Sequence, residues 1–244
     1  MRIRLALLAA VLGLASCTAS AGESPSVTVV LFDVSNSTRP ESVRDRYDAT
    51  FGMVLAHLRE EGGVLGADVI DDNPLVHGEL PINETFEPCT IRDNSLGCRS
   101  ERGELEAGVR GEAAAILDTS SRGTDVFGAL ALAEQFFEAY HDAGARTLVL
   151  LSDMVQSANG MHLGTVEAWT RTELSASLAE APAVDLAGVR VYVIGAGSTA
   201  LVDMTPAQIE GMERFWRRWF EQVGASVVFY GANLARFPIT GGTA

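Results

Sequence analysis

Three long runs of apolar residues divide the sequence, and each is rich in β-branched side chains. They lie at Val27–Val34, Arg146–Asp153 and Val189–Ile194. Continuous apolar runs of this length predict strands that are buried on both faces, as in the centre of a parallel sheet. Shorter runs at Val64–Ile70 and Ser226–Tyr230 predict two further strands.

Between these runs, apolar residues recur at helical spacing. Five helices are expected on this basis: from Pro40 to Gly62-Gly63, Arg102–Leu117, from Thr124, Thr165–Glu180, and from Pro206 onward. The last helix has the strongest start signal, because Thr205 and Gln208 form a capping box around a proline at the first helical position.

The alternation of strands and helices predicts the fold class. It favours a three-layer, doubly wound α/β domain over residues 27–240, with a mostly parallel central sheet between two layers of helices. The stretch 71–100 breaks this pattern and contains three prolines. It is expected to be an irregular insertion, either a hairpin or an extended loop carrying one strand.

The N-terminus has the pattern of an export signal. Arg2 and Arg4 precede an apolar run, Leu5–Leu14, which is too short to span a membrane. The next residues, Leu14-Ala15-Ser16-Cys17, resemble the bacterial lipobox. The resemblance implies a signal peptide at 1–16, lipid on Cys17 and a tether at 17–26, so the protein would be held at a membrane of the cell envelope, on the periplasmic or the outer face. The alternative is an ordinary secretory signal, cleaved near Ala19 or Ala21.

Charge and cysteine content narrow the possible partners and the compartment. The formal net charge is −14, and removal of Arg2 and Arg4 would make it −16, which disfavours binding to nucleic acid. With Cys17 assigned to lipid, Cys89 and Cys98 remain as a pair. In an oxidising compartment they are expected to form a disulfide, and two free thiols or a metal-binding pair are the alternatives.

Polar side chains cluster at the expected carboxyl ends of the central strands, where ligands bind in such folds. Asp33, Ser35 and Ser37 follow the first strand, Thr124 stands at the start of a helix, and Asp153 ends another strand. All five offer oxygen atoms, which hard cations such as Mg²⁺, Mn²⁺ and Ca²⁺ prefer as ligands. The sequence therefore predicts a divalent-cation site at this edge.

These residues resemble a known metal centre. The pattern Asp33-Val34-Ser35-Asn36-Ser37, followed by Thr124 and then by Asp153 at a strand end, is similar to the metal-ion-dependent adhesion site of von Willebrand factor A domains. The resemblance implies that Ser35 and Ser37 bind the metal directly. Thr124 would bind it directly or through water, and Asp33 and Asp153 would hold metal-bound waters and orient the serines.

The resemblance also implies a function in binding rather than catalysis. In that family an open coordination position accepts an acidic side chain of a partner protein. Two positions depart from the family pattern, because Asn36 and Met154 stand where glycine is common.

Other interpretations of the same residues stay open. Asp33, Ser35 and Ser37 could form a solvated turn with a helix cap, which would leave a metal-independent envelope scaffold. A metal-dependent phosphohydrolase is less favoured, because Ser35 occupies the place of its usual second carboxylate and the chain contains no lysine.

Asp125 is expected to be a favourable charge in the first turn of its helix. The four histidines are expected at the surface or in packing roles: His57, His77, His141 and His162.

Overall fold

A computed structural model describes residues 24–89, 95–163, 171–197 and 204–238. These residues form one six-stranded sheet with helices on both faces. The strands are β1 (Ser26–Asp33), β2 (Gly63–Ile70), β3 (Ile82–Phe86), β4 (Ala145–Leu151), β5 (Val189–Ile194) and β6 (Ser226–Gly231). The α-helices are α1 (Glu41–Glu61), α2 (Ser95–Leu117), α3 (Val126–Ala139), α4 (Arg171–Glu180) and α5 (Pro206–Gln222). Two short 3₁₀ turns lie at Asn36–Thr38 and Pro74–His77.

The strand order is β3-β2-β1-β4-β5-β6, and only β3 runs antiparallel to its neighbour. The predicted α/β fold with a mostly parallel central sheet is confirmed. Strand β1 lies between β2 and β4, with Asp33 opposite Ile70 and Phe32 opposite Leu151. Since parallel neighbours end at the same edge, the loops that follow β1, β2 and β4 meet there.

Two apolar cores cover the sheet, one on each face. Helices α1 and α2 pack on one face around Tyr47, Phe51 and Val109, and helices α3 to α5 pack on the other around Phe127 and the aromatic side chains of α5. Alternate residues of the central strands supply both cores, which explains why their apolar runs are uninterrupted. Helix α5 begins with the expected capping box, in which Thr205 and Gln208 bond each other's backbone amides.

The structure differs most from the sequence prediction at α2. This helix begins at Ser95 and not at Arg102, so the last part of the expected irregular insertion is helical. The glycine-containing start looked loop-like, but tertiary contacts stabilise it. The side chain of Arg102 is buried and donates hydrogen bonds to the carbonyls of Glu87, Arg59 and Glu60.

The disulfide between Cys89 and Cys98 is present and ties the segment after β3 to the first turns of α2. Disulfides are typical of oxidising compartments, which agrees with export of the protein.

Two of the predictions fall outside the described residues. They are the expected signal and Cys17, within residues 1–23, and the first part of the expected fourth helix, residues 164–170. Among the described residues, no helix is both long and apolar enough to cross a membrane.

Candidate metal centre

The turn after β1 orients two serine hydroxyls toward each other. Asp33 ends β1 and is buried, and its Oδ1 accepts a hydrogen bond from the backbone amide of Ser35 at 2.9 Å. The hydroxyl of Thr38 donates to the carbonyls of Asp33 (2.7 Å) and Ser35 (2.9 Å), which tightens the turn. As a result the Oγ atoms of Ser35 and Ser37 lie 3.0 Å apart.

Asp153 lies two residues beyond β4, beside this turn. Its Oδ1 accepts the backbone amide of Val155 at 3.0 Å, whereas its buried Oδ2 has no hydrogen-bond partner among the described residues. The preceding Ser152 donates from its hydroxyl to Oδ2 of Asp33 at 2.7 Å and accepts the backbone amide of Met154 at 2.9 Å. Ser152 therefore links the loop after β4 to the carboxylate at the end of β1.

Burial and mutual repulsion disfavour the negative charges of this pair. Burial, followed by the nearby charge of Asp153, raises the pKa of Asp33 to about 7, although hydrogen bonds from Ser35 and Ser152 partly oppose the rise. Burial also raises the pKa of Asp153, and the Ser37 hydroxyl and the Val155 amide partly offset it. The pKa of the buried Tyr47 hydroxyl is raised first by burial and then by both carboxylates. A cation between the carboxylates would remove this unfavourable electrostatic energy.

Thr124 lies at the same edge of the sheet, but no hydrogen bond joins it to the other predicted ligands. The backbone amide of Ser121 donates to the carbonyl of Val34 at 3.1 Å, and this places the 121–124 loop beside Ser35. Thr124 is buried, and its backbone exchanges two hydrogen bonds with Ser157, at 3.0 and 2.9 Å. Its hydroxyl forms no hydrogen bond with any residue that the structure describes.

Asp125 is the N-cap of α3 and so lies just before the first turn, where its charge was expected. Its Oδ1 accepts hydrogen bonds from the amide of Gly128 and from the side chain of Gln156, each at 3.1 Å, and its Oδ2 accepts one from Asn159. Gln156 also accepts from the amide of Val126 at 2.7 Å. These hydrogen bonds satisfy both oxygens of the Asp125 carboxylate. The negative charge that helps to raise the pKa of Asp33 is that of Asp153.

The two departures from the family pattern have different structural outcomes. Asn36 begins a 3₁₀ turn and does not occupy the left-handed region. Met154 does occupy it, with φ of 66°, which is uncommon for a side chain of this size. Hydrogen bonds to Ser152 Oγ and from Trp216 Nε1 (2.9 Å) hold its backbone, and its side chain is fully buried.

His77 has a role that sequence patterns did not suggest. Its Nδ1 lies 2.8 Å from Oδ2 of the buried Asp68, and its Nε2 lies 3.1 Å from Oδ2 of Asp71. Burial alone would lower the pKa of His77, but the hydrogen bonds and charges of both carboxylates outweigh it and raise the pKa. This ion-pair cluster fixes the loop after β2, whose Asp71 carbonyl in turn accepts the amide of Asp125 at 2.6 Å.

Sequence reasoning missed three residues that shape the centre. They are Thr38, Ser152 and Gln156, and they act through hydrogen bonds to backbone or carboxylate atoms of the predicted ligands and of the start of α3. For Ser152 one signal was available, since a serine at the end of a buried apolar strand must find a hydrogen-bond partner. Nothing local distinguishes Gln156 from a surface glutamine.

The side chains at this edge fit a hard cation only as a mixed set. Among the described residues, no three histidine, cysteine or acidic side chains lie close enough together to hold a metal ion by themselves. Asp33 and Asp153 supply two carboxylates, and Ser35, Ser37 and Thr124 supply hydroxyl oxygens. Oδ2 of Asp153 is one of the buried side-chain atoms of the described residues that lack a hydrogen-bond partner, and it is the one that belongs to a predicted ligand.

Comparisons with known proteins find similarity only among solved structures. No model of a known protein family and no curated protein matches the sequence. A von Willebrand factor type A protein from Catenulispora acidiphila is 14% identical, with a TM-score of 0.41, over 85% of this chain and 39% of that one. Proximal thread matrix protein 1 from the mussel byssus is 14% identical, with a TM-score of 0.38, over 83% of this chain and 49% of that one.

A third solved structure, the pilus adhesin SpaC from Lactobacillus rhamnosus GG in its open conformation, is 12% identical. Its TM-score is 0.46, and the match covers 87% of this chain and 28% of that one. The chain thus spans less than half the length of each of these three proteins. The assignment of the fold class rests on the strands and helices of this chain itself.

Replacement of Ser152 by alanine tests the link between the two loops. The change would leave Oδ2 of Asp33 and the amide of Met154 without a partner, which costs about 1–3 kcal/mol for each buried group. We expect a lower free energy of unfolding in urea and a higher pKa of Asp33, measured by NMR titration. Ser120→Ala, at an exposed serine, is the matched control. An unchanged pKa of Asp33 would contradict the assigned hydrogen bond.

The pH dependence of stability tests the electrostatics of the pair. In the metal-free protein the pKa of Asp33 is about 7, against about 3.9 for an unfolded aspartate. Between these values the folded state binds more protons, so the free energy of unfolding should fall as pH rises from about 4 to about 7. The urea midpoint of Asp33→Asn, measured in EDTA, should depend less on pH than that of the parent protein. Equal pH dependence in both proteins would exclude Asp33 as the source.

Proposed function

We propose that this protein is an exported, lipid-anchored domain of the von Willebrand factor A type, which binds one divalent cation and uses it to bind a partner protein. Asp33, Ser35, Ser37, Thr124 and Asp153 would hold the ion, with Mg²⁺ favoured over Mn²⁺ or Ca²⁺. The observation that carries the proposal is the buried, unpartnered Oδ2 of Asp153 beside a second buried carboxylate and two adjacent hydroxyls.

Each ligand has a distinct task in this proposal. Ser35 and Ser37 donate hydroxyl oxygens directly, because their Oγ atoms already lie on one side of the turn. Asp33 and Asp153 provide the compensating negative charge and accept hydrogen bonds from metal-bound water. The hydroxyl of Thr124 would supply a further oxygen from the facing loop. When bound, the cation supplies a Lewis-acidic position that a carboxylate can occupy.

The proposed partner is therefore a protein that offers an aspartate or glutamate side chain. A binding function is preferred to catalysis because the position two residues after Asp33 is Ser35 and because the chain has no lysine to anchor a phosphate. Lipid on Cys17 would keep the domain at the surface of a membrane. The acidic net charge of the chain disfavours nucleic acid as a partner.

Metal titration is the decisive experiment. All strands of the described sheet lie between residues 26 and 231, so the chain from Thr18 onward contains the whole sheet. Calorimetry with Mg²⁺ and Mn²⁺ should give one saturable site in this protein. Ser35→Ala/Ser37→Ala should abolish binding, because both direct ligands are removed. Ser42→Ala/Ser120→Ala, which changes two exposed serines, should bind like the parent protein.

Two results would contradict this proposal. Absence of saturable binding in the parent protein would remove the metal site and leave the metal-independent envelope scaffold as the function. A partner that remains bound in excess EDTA would exclude binding through a carboxylate on the cation, even if the protein binds the ion. Circular dichroism of the double variant ensures that loss of binding does not reflect loss of the fold.

The lipid anchor has a separate test. In a bacterial host that processes lipoproteins, the full chain should partition into the detergent phase of a Triton X-114 extract. Cys17→Ser should move the protein to the aqueous phase, because the buried methylenes of the lipid supply the membrane affinity. A parent protein that stays in the aqueous phase and has been cleaved near Ala19 or Ala21, without Cys17, would instead support an ordinary secretory signal.

A further inference from the structure

The outer edge of β3 borders a cleft that the proposed metal site does not use. Strand β3 is an edge of the described sheet and pairs with β2 alone. Helix α2 borders this edge on one side and helix α3 on the other. The cleft between them has a volume of about 900 Å³, and both helices contribute to its lining, with Glu112 from α2 and Phe136 and Tyr140 from α3.

The backbone of β3 is available for further pairing. On its outer side, none of the residues Ile82–Phe86 forms a backbone hydrogen bond with any part of the chain that the structure describes. Edge strands of natural proteins are usually covered or blunted, because free amides and carbonyls bind other strands. In the part of the chain that the structure describes, no strand pairs with this edge, and the edge borders the cleft.

One wall of the cleft is acidic. Glu79, Glu84 and Glu112 line it, and none of the three forms an ion pair with a described residue. No arginine or histidine among the described residues lines the cleft. Unpaired carboxylates along an unpaired strand favour a cationic segment, since each added positive charge meets a negative one without breaking an existing ion pair.

The other wall is aromatic. The rings of Phe136 and Tyr140 pack with their centroids 5.1 Å apart, and both side chains are half-buried. Phe136 reaches this position because Gly66 of β2 lies beneath it. A Cβ at Gly66 would come within 2.8 Å of the Phe136 ring. Gly66 pairs with Asn83 of β3, so the aromatic wall stands directly beside the free edge.

We infer that the outer edge of β3 binds an extended, basic segment of a partner protein by strand addition. Side chains of an added strand alternate between the two faces of the sheet. Basic residues of the segment would face Glu84 and Glu112, and apolar residues would face Phe136 and Tyr140. This site is separate from the proposed metal centre and requires no cation.

A designed peptide provides the probe. A ten-residue peptide of alternating arginine and valine should bind the chain from Thr18 onward with one saturable site at low salt. Binding should slow hydrogen exchange of those amides of Ile82–Phe86 that do not face β2. Glu84→Gln/Glu112→Gln should weaken binding roughly five-fold, because two exposed charge pairs are lost. Glu60→Gln/Glu180→Gln makes the same change of net charge elsewhere and should leave the affinity unchanged.

A second peptide separates strand addition from simple attraction of charge. Methylation of every backbone nitrogen keeps every charge but removes the donors on both edges of the peptide, so this peptide should not bind where the parent peptide saturates. Equal binding of both peptides would show a nonspecific acidic surface and would overturn the inference. Absence of binding by the unmodified peptide would also overturn it and leave Glu84 as a residue that merely protects the edge. Neither outcome depends on the metal site.

Discussion

Two buried carboxylates at the ends of adjacent central strands impose the main constraint on this molecule. The parallel pairing of β1 and β4 brings Asp33 and Asp153 to one edge of the sheet, where burial and proximity disfavour their charges. Much of the nearby structure reduces this unfavourable energy. Ser152 donates to one carboxylate, Val155 donates to the other, and Thr38 closes the turn that brings the Ser35 amide to Asp33.

The hydrogen bonds to Asp33 and Asp153 offset the unfavourable energy of the buried charges only in part. Protein interiors rarely leave a buried oxygen unpaired, and at Asp125 three donors satisfy a comparable carboxylate completely. At Asp153 one oxygen remains without a hydrogen bond of normal geometry, although the Ser37 hydroxyl is close enough to lower the pKa of this carboxyl. The contrast between these two buried aspartates in neighbouring loops is consistent with the sequence-based distinction between Asp125 at the start of a helix and Asp153 as a candidate ligand.

The sequence predicted the sheet well because burial on both faces leaves a strong signal. Uninterrupted apolar runs gave β1, β4 and β5 to within two residues, and the capping box gave the start of α5. The predicted start of α2 was wrong because the true start depends on the disulfide and on the distant carbonyls that bind Arg102. No local sequence pattern encodes these contacts. The antiparallel direction of β3 and the role of His77 likewise depend on contacts between segments far apart in the chain.

The hydrogen bond from the indole of Trp216 to the carbonyl of Met154 joins the last helix to the loop that carries Asp153. A buried indole needs a partner for its N–H group, and here the partner is one residue from the candidate ligand. The emission of tryptophan depends on the polarity and hydrogen bonding around its ring. The molecule therefore contains an intrinsic optical reporter, placed so that a rearrangement of the Asp153 loop is visible in its own fluorescence without an attached label.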